Sequence, residues 1–354
     1  MCVLCHPYRQ RDLAARSLPT VKVNQTSFAH DIKRTALPIK FALAYLQFPQ
    51  NISKMDYRNR VASPTGLQNI MTKSGILLID CPDSRGIVAA VSDFLYRRNA
   101  NILHADQHQD ADRDLFLMRV EWDLAGFEVG IEECARQFAE IAERFKMRWR
   151  MERSDRPHRI ALFVSKYDHC LVDLLYRHQS GELACEIAFV LSNHPDARRW
   201  ADFYGVPFFH VPVQPATKVA AEQRQLELLA EHRVDLVVLA RYMQVLSTDF
   251  VTRFPHPVIN VHHSFLPAFS GARPYHRAFE RGVKLIGATS HYATQDLDEG
   301  PIIEQDVIRI SHRDGLEDLI QKGCDLEKVV LSRAVRWHLA HRILVYDRKT
   351  VVFD

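Results

Sequence analysis

Glycine is scarce in this sequence. Its 13 glycines are spread over 354 residues, and no two of them flank a single residue. The dinucleotide-binding G-x-G-x-x-G is therefore missing. Gly282 and Gly287 have the spacing of a phosphate-binding loop, but Ala288 follows where that loop needs lysine. Cysteine is also sparse: seven residues, at 2, 5, 81, 134, 170, 185 and 324. An odd, scattered set in a chain this long does not read as a disulfide framework and favours a reducing compartment. No apolar run approaches the roughly 18 residues a membrane span needs. Nicotinamide enzymes, P-loop nucleotide hydrolases and membrane spans thus lose their sequence support. Cys2-Val-Leu-Cys5-His6 matches the haem-attachment string, but no signal peptide precedes it. It reads as a chance match.

Charge is unevenly placed. The formal net charge is +3, from 46 Lys+Arg and 43 Asp+Glu. Residues 1–70 hold ten basic and three acidic side chains, so the rest carries 36 basic and 40 acidic ones, a net of −4. A body with this balance is a poor nucleic-acid binder. Residues 1–70 contain prolines at 7, 19, 38, 49 and 64 and lack sustained periodicity. They are expected to be a largely unstructured extension. Three origins stay open: a natural tail, a mitochondrial transit peptide, or sequence upstream of a start at Met71. The expected location is cytoplasmic, or mitochondrial if the extension is a transit peptide.

From residue 75 the pattern sharpens. Gly75–Asp80 reads as a strand, and Ile87, Val88, Val91, Phe94 and Leu95 repeat at helical spacing. Asn101–Asp106 and Leu115–Trp122 read as strands joined by a polar loop, Gln107–Asp114. Ile131–Phe145 reads as an amphipathic helix and Met147–Met151 as a last strand. This β-α-β-β-α-β order predicts a ferredoxin-like domain over 74–153. The run Ile79-Asp-Cys-Pro-Asp-Ser-Arg-Gly-Ile-Val-Ala-Ala-Val-Ser92 resembles the start of an ACT domain. The turn Asp83, Arg85, Gly86 and Ile87 would offer backbone N–H groups at a helix start, where an amino-acid carboxylate can bind. The alternative is that Gly86 only shapes the turn and the module serves assembly.

After the polar linker Ser154–Pro157, strands and helices alternate. Strands are expected at 160–164, 185–191, 208–211, 236–240 and 258–261, and helices at 168–178, 195–204, 220–232 and 247–253. This predicts a doubly wound, mostly parallel α/β domain over 158–354. Ligands of such sheets bind beyond the strand C-termini, which directs attention past Ala240 and Ile259.

The segment there is Asn260-Val-His262-His263-Ser-Phe-Leu-Pro267. An amide donor two residues from an imidazole shares its face in an extended chain. Together they are equipment for transfer through a tetrahedral intermediate. His263 should point the other way. A plainer reading has Asn260 and His262 closing a turn. An acidic loop follows at Ala293-Thr-Gln-Asp296-Leu-Asp298-Glu-Gly-Pro301, where Asp298 can couple to an imidazole or orient water. His256, His262, His263, His276 and His291 crowd together, but none forms a zinc spacing, so no metal is expected.

N-V-H-H-S-F-L-P-A-F (260–269), A-T-S-H-Y (288–292) and A-T-Q-D-L-D-E-G-P-I-I (293–303) resemble the formyl-transfer domain of enzymes that use 10-formyltetrahydrofolate. L-A-R-Y-M-Q-V-L-S (239–247) adds to the resemblance. Lys328–Leu339 resembles the final helix of one branch. An ACT module ahead of such a domain resembles the formyltetrahydrofolate deformylase family. The resemblance implies that Asn260, His262 and Asp298 are catalytic. It also implies that folate lies on Arg241, Tyr242, Met243, Val245, Leu246, Thr294, Gln295 and Asp296. It implies hydrolysis of the formyl group with no cofactor, a supply of formate for purine synthesis, a homo-oligomer, and an amino-acid effector at the ACT module. Ser165-Lys-Tyr-Asp-His-Cys170 contains no glycine to cradle an acceptor's phosphate, which favours water as the nucleophile. The rival readings are a formyltransferase with an amine acceptor and a non-catalytic folate or amino-acid sensor.

Overall fold

The computed structural model describes residues 73–268, 271 and 273–354. The readings for residues 1–70, Met71 and the Cys2–His6 string lie outside the described residues. The first unit comprises β1 (Ser74–Pro82), α1 (Ile87–Tyr96), β2 (Asn101–Asp110), β3 (Leu115–Asp123), α2 (Ile131–Arg144) and β4 (Arg148–Arg153). Its antiparallel sheet runs β2-β3-β1-β4, the ferredoxin-like arrangement. One face is covered by α1 and α2, where Phe94, Phe138 and Trp149 meet edge to face at 5.2 and 5.1 Å. The loop expected at Gln107–Asp114 is shorter than that. Gln107 to Asp110 remain in the strand, paired with Met118 to Leu115. Polar side chains are tolerated there because β2 is an edge strand, exposed from Asn101 to Gln109 on both faces.

The second unit contains β5 (His158–Val164), α3 (His169–Gln179), β6 (Cys185–Ser192), α4 (Arg198–Tyr204), β7 (Phe208–His210) and α5 (Lys218–Glu231). It continues through β8 (Leu236–Leu239), α6 (Thr248–Arg253), β9 (Val258–His262), α7 (Pro274–Arg281), β10 (Leu285–Tyr292), β11 (Ile302–Arg309) and α8 (Leu316–Leu339). A hairpin, β12 (Ile343–Tyr346) and β13 (Lys349–Val352), follows. The sheet order is β11-β10-β9-β8-β5-β6-β7. The chain starts in the middle at β5, builds out to β7, then crosses back to β8 and β9. Those five strands are parallel, and β10 and β11 are antiparallel additions.

Strand alternation divides the core. Ile160, Leu162 and Val164 face one layer with Leu171, Leu174 and Leu331, and Ala161 and Phe163 face another with Leu228, Leu229 and Phe250. All of these are at most 1% exposed, and each large one stabilises the fold by about 1.5–3 kcal/mol. Helix α4 starts at Arg198, not Pro195, because residues 195–197 form bends and turns. Helix α7 and the final hairpin were not anticipated.

Candidate active site

Strands are added outward from β5 toward β7 and then, on its other side, from β8 toward β9, and this switch point opens a crevice at the C-terminal ends of β5 and β8. Ser165 closes its floor. Its N–H donates to the Arg241 carbonyl oxygen at 3.2 Å, and its hydroxyl accepts from Met243 N–H at 2.9 Å. β9 ends beside it at Asn260–His262. β10 returns antiparallel to β9, with His291 opposite Asn260 and Thr289 opposite His262. The loop after β10 then carries Asp298 back to His262. Asp298 has φ 57°, a left-handed conformation that aspartate tolerates better than most side chains. Gly300 is required in this loop, since a Cβ there would overlap the carbonyl oxygen of Tyr292.

Asn260, His262 and Asp298 line one cavity of about 550 Å³. His262 Nδ1 lies 3.2 Å from Asp298 Oδ2. This contact assigns the proton to Nδ1 and leaves Nε2, buried and without a hydrogen-bond partner, as the free basic nitrogen. The hydrogen bond that His262 donates holds the Asp298 carboxyl well below the usual carboxylate range. Asn260 Nδ2 is 3.2 Å from His291 Nε2, while His291 Nδ1 is 3.0 Å from the Tyr292 carbonyl oxygen. The carbonyl must accept, so His291 Nδ1 carries the proton and Nε2 accepts from the Asn260 amide. One Asn260 N–H is thereby fixed and the other remains for a ligand. His291 Nε2 also stands 3.7 Å from Asp298 Oδ1. Sequence reading placed His291 only among weighed metal ligands; its partner is set by the β9–β10 register.

The expected folate strip lines the same cavity: Arg241, Tyr242, Met243, Val245, Leu246, Thr294, Gln295 and Asp296. Met243, Val245 and Leu297 are 49%, 54% and 62% exposed, an apolar cluster suited to a flat ring. Leu297 was missed, although an apolar residue within an acidic loop was a visible signal. Tyr242 turns its ring into the core against Phe163, and its hydroxyl accepts from Gln225. Arg241 is only 9% exposed, with Nε 3.3 Å from the carboxylate of Glu327.

Glu327 is fully buried and gathers donors on this wall. His169 Nε2 is at 2.8 Å and Tyr275 Oη at 2.6 Å. Burial works against the charge of His169, yet hydrogen bonds to Cys170, Cys324 and Glu327 carry it up to about 12. Burial would raise the Glu327 carboxyl, but His169, Arg241 and Tyr275 bring it down. None of this network was read from the sequence, because its members come from β5–α3, β8, α7 and α8. His263 does not point away from His262, as an extended chain would require. β9 ends at His262, and the two rings lie 5.0 Å apart on the same cavity. Burial, with help from Arg241 and His262, pushes His263 down to about 4. It is neutral and packs near Tyr275.

Among the described residues, the one group with metal-ligand chemistry is His169, Cys170 and Glu327, none of the five histidines weighed earlier except by neighbourhood. The adjacent Arg241 cation and the direct His169–Glu327 bond disfavour an ion between them. Burial also raises the Cys170 thiol, away from thiolate. In the first unit, Arg85 and Gly86 are exposed at the start of α1. Asp83 N–H is already taken by the Asp114 carbonyl, and its carboxylate accepts from Gln109 at 2.6 Å.

A formyl transferase family model matches residues 158–335, and an ACT domain model matches residues 75–143. A formyltetrahydrofolate deformylase of Synechocystis sp. is 56% identical over 287 residues, covering 81% of this chain and all of the relative. The crystal structure of a formyltetrahydrofolate deformylase from Pseudomonas syringae pv. tomato is 48% identical. It matches with TM-score 0.79 over 81% of this chain and 96% of that one. A glycinamide ribonucleotide transformylase from Symbiobacterium toebii is similar over 56% of this chain and 95% of its own, at 31% identity and TM-score 0.53.

Proposed function

The chain belongs to the formyltetrahydrofolate deformylase family, and we propose that it hydrolyses 10-formyltetrahydrofolate to formate and tetrahydrofolate in the cavity lined by Asn260, His262 and Asp298. The observation that carries this reading is the unpartnered His262 Nε2 beside a half-committed Asn260 amide, with Asp298 behind the imidazole. Water is held by Asp298 and attacks the formyl carbon. His262 Nε2 takes the water proton, and Asn260 Nδ2 donates to the oxygen as it becomes an oxyanion. His262, now an imidazolium backed by Asp298, delivers that proton to N10 as the C–N bond breaks. The formic acid that results gives its remaining proton to solvent, formate and tetrahydrofolate leave, and no cofactor takes part.

The buried network of His169, Arg241, Tyr275 and Glu327 supports water over an amine acceptor. It fills the wall beyond β5 with side chains already bonded to one another. The apolar strip Met243, Val245 and Leu297 supports a folate ring. The test is incubation with 10-formyltetrahydrofolate alone, following formate and tetrahydrofolate. Formate release without acceptor supports hydrolysis. Consumption only when an amine is added would make the chain a transferase, and binding without turnover would make it a sensor.

Three further assignments accompany this reading. Formate released here would feed purine synthesis, and the enzyme works in the cytoplasm. The five described cysteines are free, in keeping with a reducing compartment. The chain forms a homo-oligomer in which β2 is covered by a second copy, since a ten-residue edge strand exposed from Asn101 to Gln109 leaves a row of backbone donors and acceptors open to pairing. Light scattering should give a multimer, reduced to monomer by proline at Ala105. An amino-acid carboxylate binds at the exposed Arg85–Gly86 turn, which calorimetric titration with amino acids would test.

A further inference from the structure

The C-terminal hairpin touches the loop of Asp298 and the first unit through neighbouring residues. Arg348 Nη2 donates to the Glu299 carbonyl oxygen at 3.2 Å and pairs with the Glu299 carboxylate. Thr350 Oγ1 donates to the Ile302 carbonyl oxygen at 2.6 Å. These contacts grip the loop on both sides of Gly300, directly after Asp298. In the same turn, Asp347 accepts from Arg113 Nε at 2.9 Å. Tyr346 Oη donates to Asp110 at 3.2 Å, and Lys349 pairs with Asp110 at 3.7 Å. Asp110 and Arg113 sit where β2 turns into β3. The hairpin is seated on the helix-free face of the first sheet, where Leu344, Tyr346 and Phe353 form a core with Ile76, Leu78 and Leu117.

The loop has reason to need a brace. Asp298 is held at positive φ, and Leu297 beside it is exposed. Such backbone persists only where its surroundings over-determine it. Resting on the deformylase reading, we propose that Arg348 is a positioning residue for Asp298, and that the first unit holds Arg348 in place through Asp347. The Arg348–Glu299 pair is exposed, 66% and 61% by side chain, so it adds little to global stability. Small displacements of a reacting group nevertheless act strongly on rate.

The test uses the full chain. Arg348→Met should lower kcat about fivefold, leave KM within about twofold and leave Tm within about 1 °C. It should also speed amide hydrogen exchange at residues 297–300. Arg348→Lys, which keeps the charge, should recover part of the loss. Asp347→Asn should lower kcat about twofold alone and have no further effect in the Arg348→Met background. Exchange needs no turnover, so it reads the brace separately; a wild-type chain that released no formate would defeat only the deformylase reading. Unchanged exchange and kcat in Arg348→Met would overturn the proposal. So would a fall in kcat matched by a large fall in Tm, or effects of the two variants that simply multiply.

Discussion

Two groups of buried and half-buried histidines lie among the described residues, and they differ in what faces them. In one, His262 and His291 share the carboxylate of Asp298 at 3.2 and 3.7 Å. In the other, His158, His338 and His341 stack at 5.5 and 4.9 Å, and none is paired with a carboxylate among the described residues. Burial, reinforced by the neighbouring histidines, pushes His338 down to about 3, and burial with His158 and nearby arginines pushes His341 to about 3. The second group also lines the larger cavity, about 920 Å³. Cavity size therefore does not mark the chemistry. A histidine is equipped to carry a proton when a carboxylate backs one ring nitrogen and the other is left free, as at His262, and serves packing when no carboxylate faces it.

The sharpest way to break this contrast is to remove the carboxylate. Asp298→Asn should cut formate release by about 10²–10³-fold, as should Asn260→Ala by loss of an oxyanion donor. Steady-state assay of formate decides it, and a loss under tenfold would deny both residues a direct part. His291→Phe keeps a flat ring but offers no acceptor to Asn260; kcat should fall about tenfold. The other group predicts a pH effect on stability. His338 and His341 have folded-state pKa values below the unfolded value, so the unfolded chain binds more protons under acid. Stability should fall as pH drops from about 6.5 toward 3, by up to about 1.4 kcal/mol per pH unit for each histidine. Urea midpoints across that range should show a shallower slope for His338→Gln, and an unchanged slope would return His338 to the ordinary titrating class. The smallest effect is expected at the folate strip, where Met243→Ala should raise KM about threefold and spare kcat.

What could be read before the structure was local. Apolar runs such as Leu236–Ala240 announce buried strands, and Asn260, His262 and Asp298 stand in strings whose residue types already suggest acyl chemistry. What was hidden depends on register or on where a strand stops. His291 meets Asn260 only because β10 pairs antiparallel to β9 at that offset. His263 joins the cavity only because β9 ends one residue earlier. Glu327 reads as a helix-surface carboxylate until α8 is laid against α3 and α7, where Glu327 is wholly buried. The final hairpin was missed because its strands are four residues each, too short for periodicity to separate from loop. Its turn, Asp347-Arg348, takes φ 50° at Asp347 without the glycine that marks such turns in a sequence.

The seating of that hairpin also sets an order of assembly during synthesis. The helix-free face of the first sheet waits for Leu344, Tyr346 and Phe353. Between Arg153, where that sheet is complete, and Ile343 the ribosome must add residues 154–342, which takes about 10–40 s. Throughout that interval Ile76, Leu78 and Leu117 present an uncovered apolar surface on a nascent chain. The first sheet is thus finished by residues made long after its own strands, and loss of Leu344, Tyr346 and Phe353 would injure a module far away in sequence.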